Sequence, residues 1–498
     1  MSIMTSDFKV CIIGSGIAGS LAALKLQERE VDVTVLEAGS WEDSLIDSTF
    51  YEVYDRFPWL KNLAFKIPGF TYPWVDSERD RFTNSGEREY DINKRRHKGI
   101  GGTVGRIKPI WHGWAIRPYP EDFNKNSEFD FGADWPLSYR DLEPYYFEAE
   151  QEMAVAGRAD NPYRDREEYP IQKPKFDDLE QVFSPLEDQN ILNIHSIPIA
   201  TDPDTNDLSL FTTNSHIQRG IDEGVDYISN AVVRRLRTGD QGDRIDSVLY
   251  TKNGETRNLC ADHFVVAAGG IESARLLLLS KNTEHPTGIA NSSGCVGKYF
   301  MEHPMLKVTG DLEDPRRDIL SEEANGELVS HEYYKPSEEN PHSIMIGFRK
   351  QSGKEVSLLG VTEMAPQENN RISLNKKVTD DYNEPVPDIS LSFNDRNTAA
   401  LERVEKILLE LCEILNVKVK SIHGPENPIY VNHHIGTTRM GDDPDTSVVN
   451  RNLRTHDIRN LSIISSSVFP TGFGVNPTLT IAALSLRAVD HICEQLGK

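Results

Sequence analysis

Residues 10–19 read VCIIGSGIAG, and Glu37 follows eighteen positions after the last of these glycines. The apolar run predicts a buried strand. Gly14 permits a tight turn, Gly16 lets the backbone approach a pyrophosphate, and Gly19 lets the next helix pack closely on the strand. A helix start favours a diphosphate through its free N–H groups and its dipole, and Glu37 is placed to accept hydrogen bonds from ribose hydroxyls. The stretch therefore predicts a dinucleotide-binding site rather than an ordinary strand–helix turn.

The overall charge limits the classes of partner. The 498-residue chain has 54 basic and 78 acidic residues, which gives a net charge of −24. A field of this sign repels polyanions and argues against nucleic acid or an anionic membrane as a main partner. No apolar run approaches the roughly 18 residues of a membrane-spanning helix. We therefore expect an acidic, solvated surface and a small-molecule substrate.

Cysteine usage indicates the compartment. The chain has five cysteines, an odd number that cannot all pair within it. They are scattered along the sequence and form no C-x-x-C motif. This pattern predicts reduced thiols in a cytoplasmic protein, and it argues against a disulfide-reductase type of flavoprotein. Residues 1–7 contain no apolar core and no twin arginine, so we expect no export.

A second strand–turn–helix unit lies far from the first. Residues 263–270, HFVVAAGG, predict another buried strand that ends in glycines, and residues 272–279 predict the helix that follows. Residues 225–233 also return to a strand-like apolar pattern. We therefore predict an α/β fold with a Rossmann-like domain assembled from discontinuous segments.

The middle of the chain has a different pattern. Residues from about 305 to 429 alternate apolar and polar side chains, which predicts an antiparallel sheet with one solvated face. Residues 398–415 predict an amphipathic helix in this α+β substrate domain. We predict that three segments bind the nucleotide: 1–125, 205–304 and 432–498. Loops at about 41–91 of the first segment would cover the site. The segments 126–204 and 305–431 would form the cap and the substrate domain.

Two further stretches lie near the carboxyl terminus. Residues 432–441 read NHHIGTTRMG, and residues 469–480 read FPTGFGVNPTLT and open a long helix to about residue 496. Asn476 is a favourable N-cap and Pro477 suits the first helical position. The start of this helix would carry partial positive charge that stabilises an anion.

Taken together, these motifs resemble those of the glucose–methanol–choline (GMC) oxidoreductase family over most of the chain. The stretches that keep the family's order are the fingerprint at 14–19, the glycine pair 101–102, DWPLS at 134–138, AAGGIESAR at 267–275, GKYFMEHP at 297–304 and the two carboxyl-terminal stretches. NPTLT at 476–480 is most similar to bacterial sugar and glycoside oxidases and to pyranose 2-oxidase. Residues 305–429 carry no motif, as expected for that family's variable substrate domain.

The resemblance implies FAD as the cofactor and assigns roles by position. His433 matches the family's catalytic histidine, and Asn476 matches the residue that partners it. We expect His434 to face substrate or support the site rather than act as the base. The cofactor-binding residues predicted from the fingerprint and the resemblance are Gly14, Gly16, Gly19, Glu37, Gly101, Gly102, Thr103, Val233, Pro477 and Thr478.

The implied reaction is oxidation of an alcohol, favoured as a sugar or glycoside hydroxyl, to a carbonyl by hydride transfer to flavin N5. A neutral imidazole suits removal of the hydroxyl proton, so His433 is the expected general base. Asn476 can donate its amide N–H to the developing alkoxide. The open alternatives are a non-redox lyase on the same scaffold, a flavin-binding protein without catalysis, a nicotinamide-dependent dehydrogenase, and oxidation of a non-sugar alcohol. The electron acceptor (oxygen, a quinone or another) and the oligomeric state stay open.

Other positions bear on the flavin link, on a flavin contact and on metal binding. Residues 103–108 hold no histidine for a covalent flavin link, so we expect noncovalent FAD, with His112 as the candidate for a link. Ser465 stands where relatives have an aspartate. The pair of His433 and His434 has no third ligand at metal spacing, so no metal site is expected. We expect His303 to be structural.

Overall fold

The computed structural model describes residues 8–39, 87–89, 113–159, 161, 168–173, 177–202, 211, 213–313, 327–351, 353–380 and 382–498. The helices are Ile17–Gln27 (α1), Lys125–Phe129 (α2), Tyr139–Glu152 (α3), Asp177–Phe183 (α4), Pro185–Asp188 (α5), Asn214–Asp222 (α6), Gly269–Leu279 (α7), Asp395–Ile414 (α8) and Thr478–Leu496 (α9). Short 3₁₀ helices cover Pro120–Phe123 and Ser466–Val468.

The first strands are Lys9–Ile13 (β1), Asp32–Leu36 (β2), Glu87–Glu89 (β3), Val155–Gly157 (β4), Ile171–Gln172 (β5), His195–Ser196 (β6), Ile199–Ala200 (β7), Asp226–Ile228 (β8), Ala231–Thr238 (β9), Ile245–Lys252 (β10), Glu255–Cys260 (β11) and His263–Val266 (β12). The later strands are Pro304–Leu312 (β13), Glu327–Ser330 (β14), Ile344–Lys350 (β15), Glu355–Thr362 (β16), Arg371–Thr379 (β17), Pro385–Ser390 (β18), Val417–His423 (β19), Ile429–Tyr430 (β20) and Leu461–Ile463 (β21).

A five-stranded parallel sheet forms the Rossmann-like core, in the order β21-β12-β1-β2-β8. β1 pairs with β2 on one side and with β12 on the other, so the two predicted strand–turn–helix units lie side by side. The apolar residues of β1 and β12 are fully buried, as a parallel sheet covered on both faces requires. Strands from distant parts of the chain build this one sheet, which confirms the predicted discontinuous α/β fold. The domain boundaries stay a prediction.

The prediction of one strand at 225–233 is wrong, because this stretch forms two strands that belong to different sheets. β8 belongs to the parallel sheet, whereas β9 joins β10 and β11 in an antiparallel sheet. Asn230, between them, has a φ of 54°. Asparagine tolerates this left-handed conformation better than most residues, so the chain turns there and leaves the sheet.

An antiparallel sheet dominates the predicted substrate domain. Its strands run in the order β19-β13-β16-β15-β14-β6, with β20 also paired to β13. α8 packs on this sheet through Val404 and Leu408, and a Cβ on Gly360 of β16 would lie only 2.2 Å from Val404 Cγ1. The antiparallel sheet and, from its amphipathic pattern, the helix were predicted correctly. The predicted solvated face is wrong for β15 and β16, where consecutive residues are buried on both faces.

The carboxyl-terminal helix returns the chain to the nucleotide-binding unit. α9 packs against α1 and α3, and the Ser485 hydroxyl donates to the Ala18 carbonyl at 2.8 Å. Because β21 is parallel to β1, residues 464–477 leave the sheet at the same edge as the glycine turn. This edge, at the carboxyl ends of the strands, is where open α/β sheets bind ligands.

Across the ranges given above, no helix is both long enough and apolar enough to cross a bilayer.

Candidate active site

The glycine turn after β1 has the shape that a diphosphate requires. Gly14 has a φ of +102°, and a Cβ on it would lie 2.6 Å from the Ala267 carbonyl oxygen. A Cβ on Gly19 would lie 1.9 Å from the Gly14 carbonyl oxygen, whereas a Cβ on Gly16 would meet no atom of the described residues within 4 Å. None of the described side chains caps α1. Among these residues nothing fills the space at the start of α1, where its N–H groups can bind an anion.

Glu37 holds this turn from the end of β2. Its side chain is buried, and its Oε2 accepts hydrogen bonds from both the N–H and the hydroxyl of Ser15, each at 2.9 Å. Its Oε1 accepts from the Gly39 N–H at 2.7 Å. A carboxylate has about four lone-pair sites, so these three donors leave capacity for one ribose hydroxyl.

β9 begins next to this carboxylate. The Ala231 N–H donates to the Glu37 carbonyl at 2.8 Å, and the Asn230 N–H donates to the Gly39 carbonyl at 2.8 Å. Val233 lies two residues further along β9 and is partly buried. The predicted adenine-side residue therefore lies close to the predicted ribose-binding acid.

His433 forms a hydrogen-bonded pair with His303. Their Nδ1 atoms lie 2.8 Å apart, and their rings are nearly perpendicular at 88°. His303 is fully buried, and its Nε2 lies 3.0 Å from the Gly472 carbonyl oxygen. Because a carbonyl only accepts, His303 carries its proton on Nε2 and presents Nδ1 as an acceptor. His433 must then donate from Nδ1, which leaves its Nε2 without a proton.

Asn476 lies at this unprotonated nitrogen. Its Nδ2 is 3.2 Å from Nε2 of His433, and an amide nitrogen donates. The structure therefore brings the two predicted catalytic residues together.

The predicted N-cap role of Asn476 is wrong. α9 begins at Thr478 with Pro477 in the N-cap position, and no side chain that the structure describes makes a capping hydrogen bond. The Asn476 amide is used by His433 instead. The predicted cofactor residues Pro477 and Thr478 lie at the positive end of α9, directly beside the catalytic pair.

The pKa values agree with this proton assignment. Desolvation lowers the pKa of His433 well below its ordinary value, and the neighbouring His303 and His434 lower it further. Burial likewise lowers the pKa of His303 to about 4. Both rings are therefore neutral at physiological pH, and Nε2 of His433 can accept a proton.

Glu302 organises the histidine segment. It is fully buried, and its Oε2 accepts the backbone N–H of His433 at 2.9 Å and that of His303 at 3.2 Å. Its Oε1 lies 3.2 Å from Nε2 of His434. His434 is thus held beside His433 by a carboxylate, a position that suits the supporting or substrate-facing role predicted for it.

Sequence reasoning missed Glu302 and assigned His303 to a structural role, whereas His303 contacts the predicted base. A sequence signal was present, because both polar residues lie in the motif GKYFMEHP at 297–304. The missing information is a long-range pairing. Met301 and Ile435 exchange backbone hydrogen bonds of 2.9 and 3.1 Å and bring the two motifs together.

Ser465, where the family resemblance implies an aspartate, has a defined place in the structure. Its Oγ accepts the N–H of Ser467 at 3.1 Å and lies 2.6 Å from the Ser467 hydroxyl. The Thr438 hydroxyl donates to Ser467 Oγ at 2.6 Å. When Thr438 donates to Ser467 and Ser467 donates to Ser465, the hydroxyl proton of Ser465 is available for another acceptor. A serine here can therefore donate a hydrogen bond, whereas an ionised aspartate could only accept one.

Comparison with known proteins shows what the chain is similar to. A profile described as GMC oxidoreductase matches residues 366–485, and one described as an NAD(P)-binding Rossmann-like domain matches residues 12–40. The fructose dehydrogenase large subunit of Gluconobacter japonicus is 29% identical over 559 residues, covering 100% of this chain and 99% of the relative. The 2-methyl-1,2-propanediol dehydrogenase of Mycolicibacterium austroafricanum is 26% identical and covers 100% and 97%. The chain is thus similar to GMC oxidoreductases in its carboxyl-terminal part and to two dehydrogenases over its whole length.

The GMC fold extends over the whole chain. The crystal structure of a formate oxidase superposes with a TM-score of 0.67 at 16% sequence identity and covers 98% of each chain. At this identity the match shows the fold alone. It confirms the predicted fold class, and the matched profile and relatives confirm the predicted FAD-dependent oxidoreductase.

The described residues fit the cofactor of a GMC oxidoreductase. The open space at Gly16, the remaining capacity of Glu37 and the uncapped start of α9 suit an acidic dinucleotide. Other predicted contacts lie outside the described residues, namely Gly101, Gly102, Thr103, the candidate link His112 and most of the loop at 41–91. Among the residues that the structure describes, no group of three or more His, Cys, Asp or Glu side chains could hold a metal ion.

Proposed function

We propose that this protein oxidises a hydroxyl group of a sugar or related polyol to a carbonyl. His433 acts as the general base through Nε2, and Asn476 orients the substrate oxygen. The observation that carries this proposal is the 3.2 Å approach of the Asn476 amide to the imidazole nitrogen that is left without a proton. Bound FAD supplies the acceptor for the hydride.

The two groups are close enough to share one substrate oxygen. Nε2 of His433 accepts the hydroxyl proton, and the Asn476 N–H donates to the same oxygen as negative charge grows on it. Their separation of 3.2 Å lets one oxygen reach both groups. Because Nε2 has a single lone pair, the substrate hydroxyl replaces the Asn476 N–H as its partner when the alcohol binds. Such an arrangement favours the transition state over the bound alcohol, because the donor interacts more strongly with an alkoxide.

His303 orients the base and does not carry the proton onward. Its Nε2–H is fixed on the Gly472 carbonyl, and its Nδ1 accepts from His433. Burial keeps the pKa of His303 low, at about 4, so a second proton on this ring is unfavourable. The substrate proton therefore stays on Nε2 of His433 until it leaves from the substrate side.

The substrate class rests on the relatives and on His434. By their names, the two relatives act on fructose and on a 1,2-diol, and both compounds carry adjacent hydroxyl groups. The His434 ring lies beside His433 with its side chain 17% exposed. We expect His434 to contact the hydroxyl adjacent to the one that is oxidised.

The test is an anaerobic panel of ketoses, aldoses, glycosides, 1,2-diols and simple alcohols added to the purified holoenzyme. Oxidation bleaches the visible flavin absorbance, and we expect the sugars or 1,2-diols to bleach it faster than simple alcohols. Admission of air, or addition of a quinone dye, then identifies the acceptor. Product formation without bleaching would instead favour a lyase.

Noncovalent FAD is the second part of the proposal. Acid precipitation of the holoenzyme should leave the yellow colour in the supernatant. Colour that stays with the precipitate would contradict this, and its loss in a His112→Ala variant would locate the link.

A further inference from the structure

Four buried ionisable residues form a connected group behind the catalytic pair. Asp122, Lys125, Tyr334 and Glu363 are each at most 2% exposed. Lys125 Nζ lies 3.1 Å from Asp122 Oδ1, forms an ion pair with Glu363 Oε1 and donates to the Ser343 hydroxyl at 2.7 Å. We name Asp122, Lys125, Tyr334 and Glu363 the buried ionic network.

This network reaches the loop that carries Asn476. The Tyr334 hydroxyl donates to Asp122 Oδ2 at 2.8 Å and accepts the Gly474 N–H at 3.1 Å. The contact is close, because a Cβ on Gly474 would lie 2.8 Å from Tyr334 Cε2. The carbonyl of Gly472, two residues earlier, accepts from His303. The loop 472–476 is therefore fixed at two backbone groups before it presents its amide to His433.

Charge balance indicates the protonation state of the network. Three ionised groups would leave a buried net charge of −1 on Asp122, Lys125 and Glu363, which is costly. Glu363 Oε1 accepts from Lys125 and from the Ser343 N–H, at 2.7 Å for the latter. Glu363 Oε2 is buried and has no hydrogen-bond partner among the described residues. A proton on Oε2 removes the excess charge.

We propose that the buried ionic network positions Asn476 for alcohol oxidation through the Tyr334–Gly474 hydrogen bond, and that Glu363 is a neutral carboxylic acid within it. This inference rests on the proposed function. Burial, which the nearby Lys125 opposes, raises the pKa of Glu363 and supports the neutral form. Lys125 also lies close enough to His303 to lower its pKa, although burial is the larger cause.

The test compares Tyr334→Phe with Tyr333→Phe in the holoenzyme. Tyr333 is the adjacent tyrosine and lies outside the network, with Arg403 over its ring at 6.0 Å. We expect Tyr334→Phe to lower kcat about tenfold or more with little change in KM, because misplaced reacting groups cost up to roughly 10²-fold. The ¹⁵N NMR signal of His433 Nε2 should also move in Tyr334→Phe and stay in place in Tyr333→Phe. Equal kcat values and an unmoved signal in both variants would overturn the proposal.

Two further measurements keep the test decisive. If Tyr334→Phe does not fold, the Gly474 amide in the wild-type enzyme should exchange slowly with solvent deuterium, and rapid exchange would contradict the hydrogen bond to Tyr334. Glu363→Gln, which keeps the size and the neutral state, should melt within a few degrees of wild type, whereas a collapse of Tm would refute the neutral acid. If no alcohol reduces the wild-type flavin, the proposed function fails, while the NMR and exchange results still decide the positioning role.

Discussion

The Nδ1 atoms of His303 and His433 lie 2.8 Å apart, and only His433 has a proton to place between them. The Gly472 carbonyl fixes this arrangement because it takes the Nε2 proton of His303. A backbone carbonyl thus decides, through two rings, which nitrogen of His433 is basic. The base faces Asn476 rather than the protein interior.

Replacement of His303 tests how much of the rate depends on the orientation of His433, because His433 itself stays in place. His303→Ala removes the acceptor for Nδ1–H, so His433 is free to adopt the other tautomer. We expect kcat to fall on the order of 10- to 100-fold, less than the roughly 10²–10⁴ that a positioned base contributes, because His433 itself is still present. His303→Asn can place an amide oxygen near the position of Nδ1 and should recover part of the rate. Equal rates for the two variants, measured as anaerobic flavin reduction, would argue against a tautomer-setting role.

Removal of His433 should affect proton transfer and not cofactor binding. We expect His433→Ala to slow flavin reduction by roughly 10²–10⁴-fold while it retains FAD. His423→Ala is a matched control, since this histidine is exposed on β19. Flavin reduction by His433→Ala at a near-normal rate would show that another group removes the proton.

Replacement of Asn476 should change both the rate and its pH dependence. Asn476→Ala removes a donor to the alkoxide, which costs roughly 10²–10³ in kcat by analogy with oxyanion-hole donors. Asn476→Asp places a negative charge beside Nε2 and raises the pKa of His433. The acidic limb of the kcat/KM profile should therefore move to higher pH in Asn476→Asp, because more of the base is protonated at a given pH. If the acidic limb of the profile stays at the same pH, the side chain at position 476 does not influence the pKa of His433.

The sequence predicted the elements better than the contacts between them. The glycine turn, Glu37 and the pair of His433 and Asn476 were all predicted from local motifs and the family resemblance. Such motifs work because a strand–turn–helix unit is a local structure with specific steric needs at each glycine. The same holds for the alternating strands of the antiparallel sheet.

The supporting residues could not be predicted because long-range pairing brings them together. His303 lies 130 residues before His433, and Lys125 lies 238 residues before Glu363. No local period signals either contact. The turn at Asn230, which splits a continuous apolar pattern into two sheets, was missed because apolarity does not encode backbone direction.

The buried histidines predict how stability depends on pH. Burial lowers the pKa of His263 to about 3 and that of His303 to about 4. Between these values and about 6.5, the unfolded chain binds more protons than the folded one, so stability falls as pH falls. His263 bonds the Ser462 hydroxyl through Nε2, and His263→Gln can keep a polar atom there. Its free energy of unfolding, measured in urea from pH 7 to pH 4, should fall less steeply than that of wild type or of the exposed control His423→Gln.

Alanine substitutions at two glycines of the turn should have different effects, one on folding and the other on cofactor binding. A Cβ on Gly19 would lie 1.9 Å from the Gly14 carbonyl oxygen, so Gly19→Ala must displace backbone and should destabilise the apoprotein. Gly16 has a φ of −63°, and a Cβ there would meet no atom of the part of the chain that the structure describes within 4 Å, so Gly16→Ala should leave the Tm of the apoprotein unchanged. Its methyl group would fill the space predicted for the pyrophosphate, and we expect FAD affinity to fall at least tenfold. Thermal melts of the apoprotein and FAD titration by fluorescence measure the two effects independently. Unchanged FAD affinity in Gly16→Ala would place the diphosphate elsewhere.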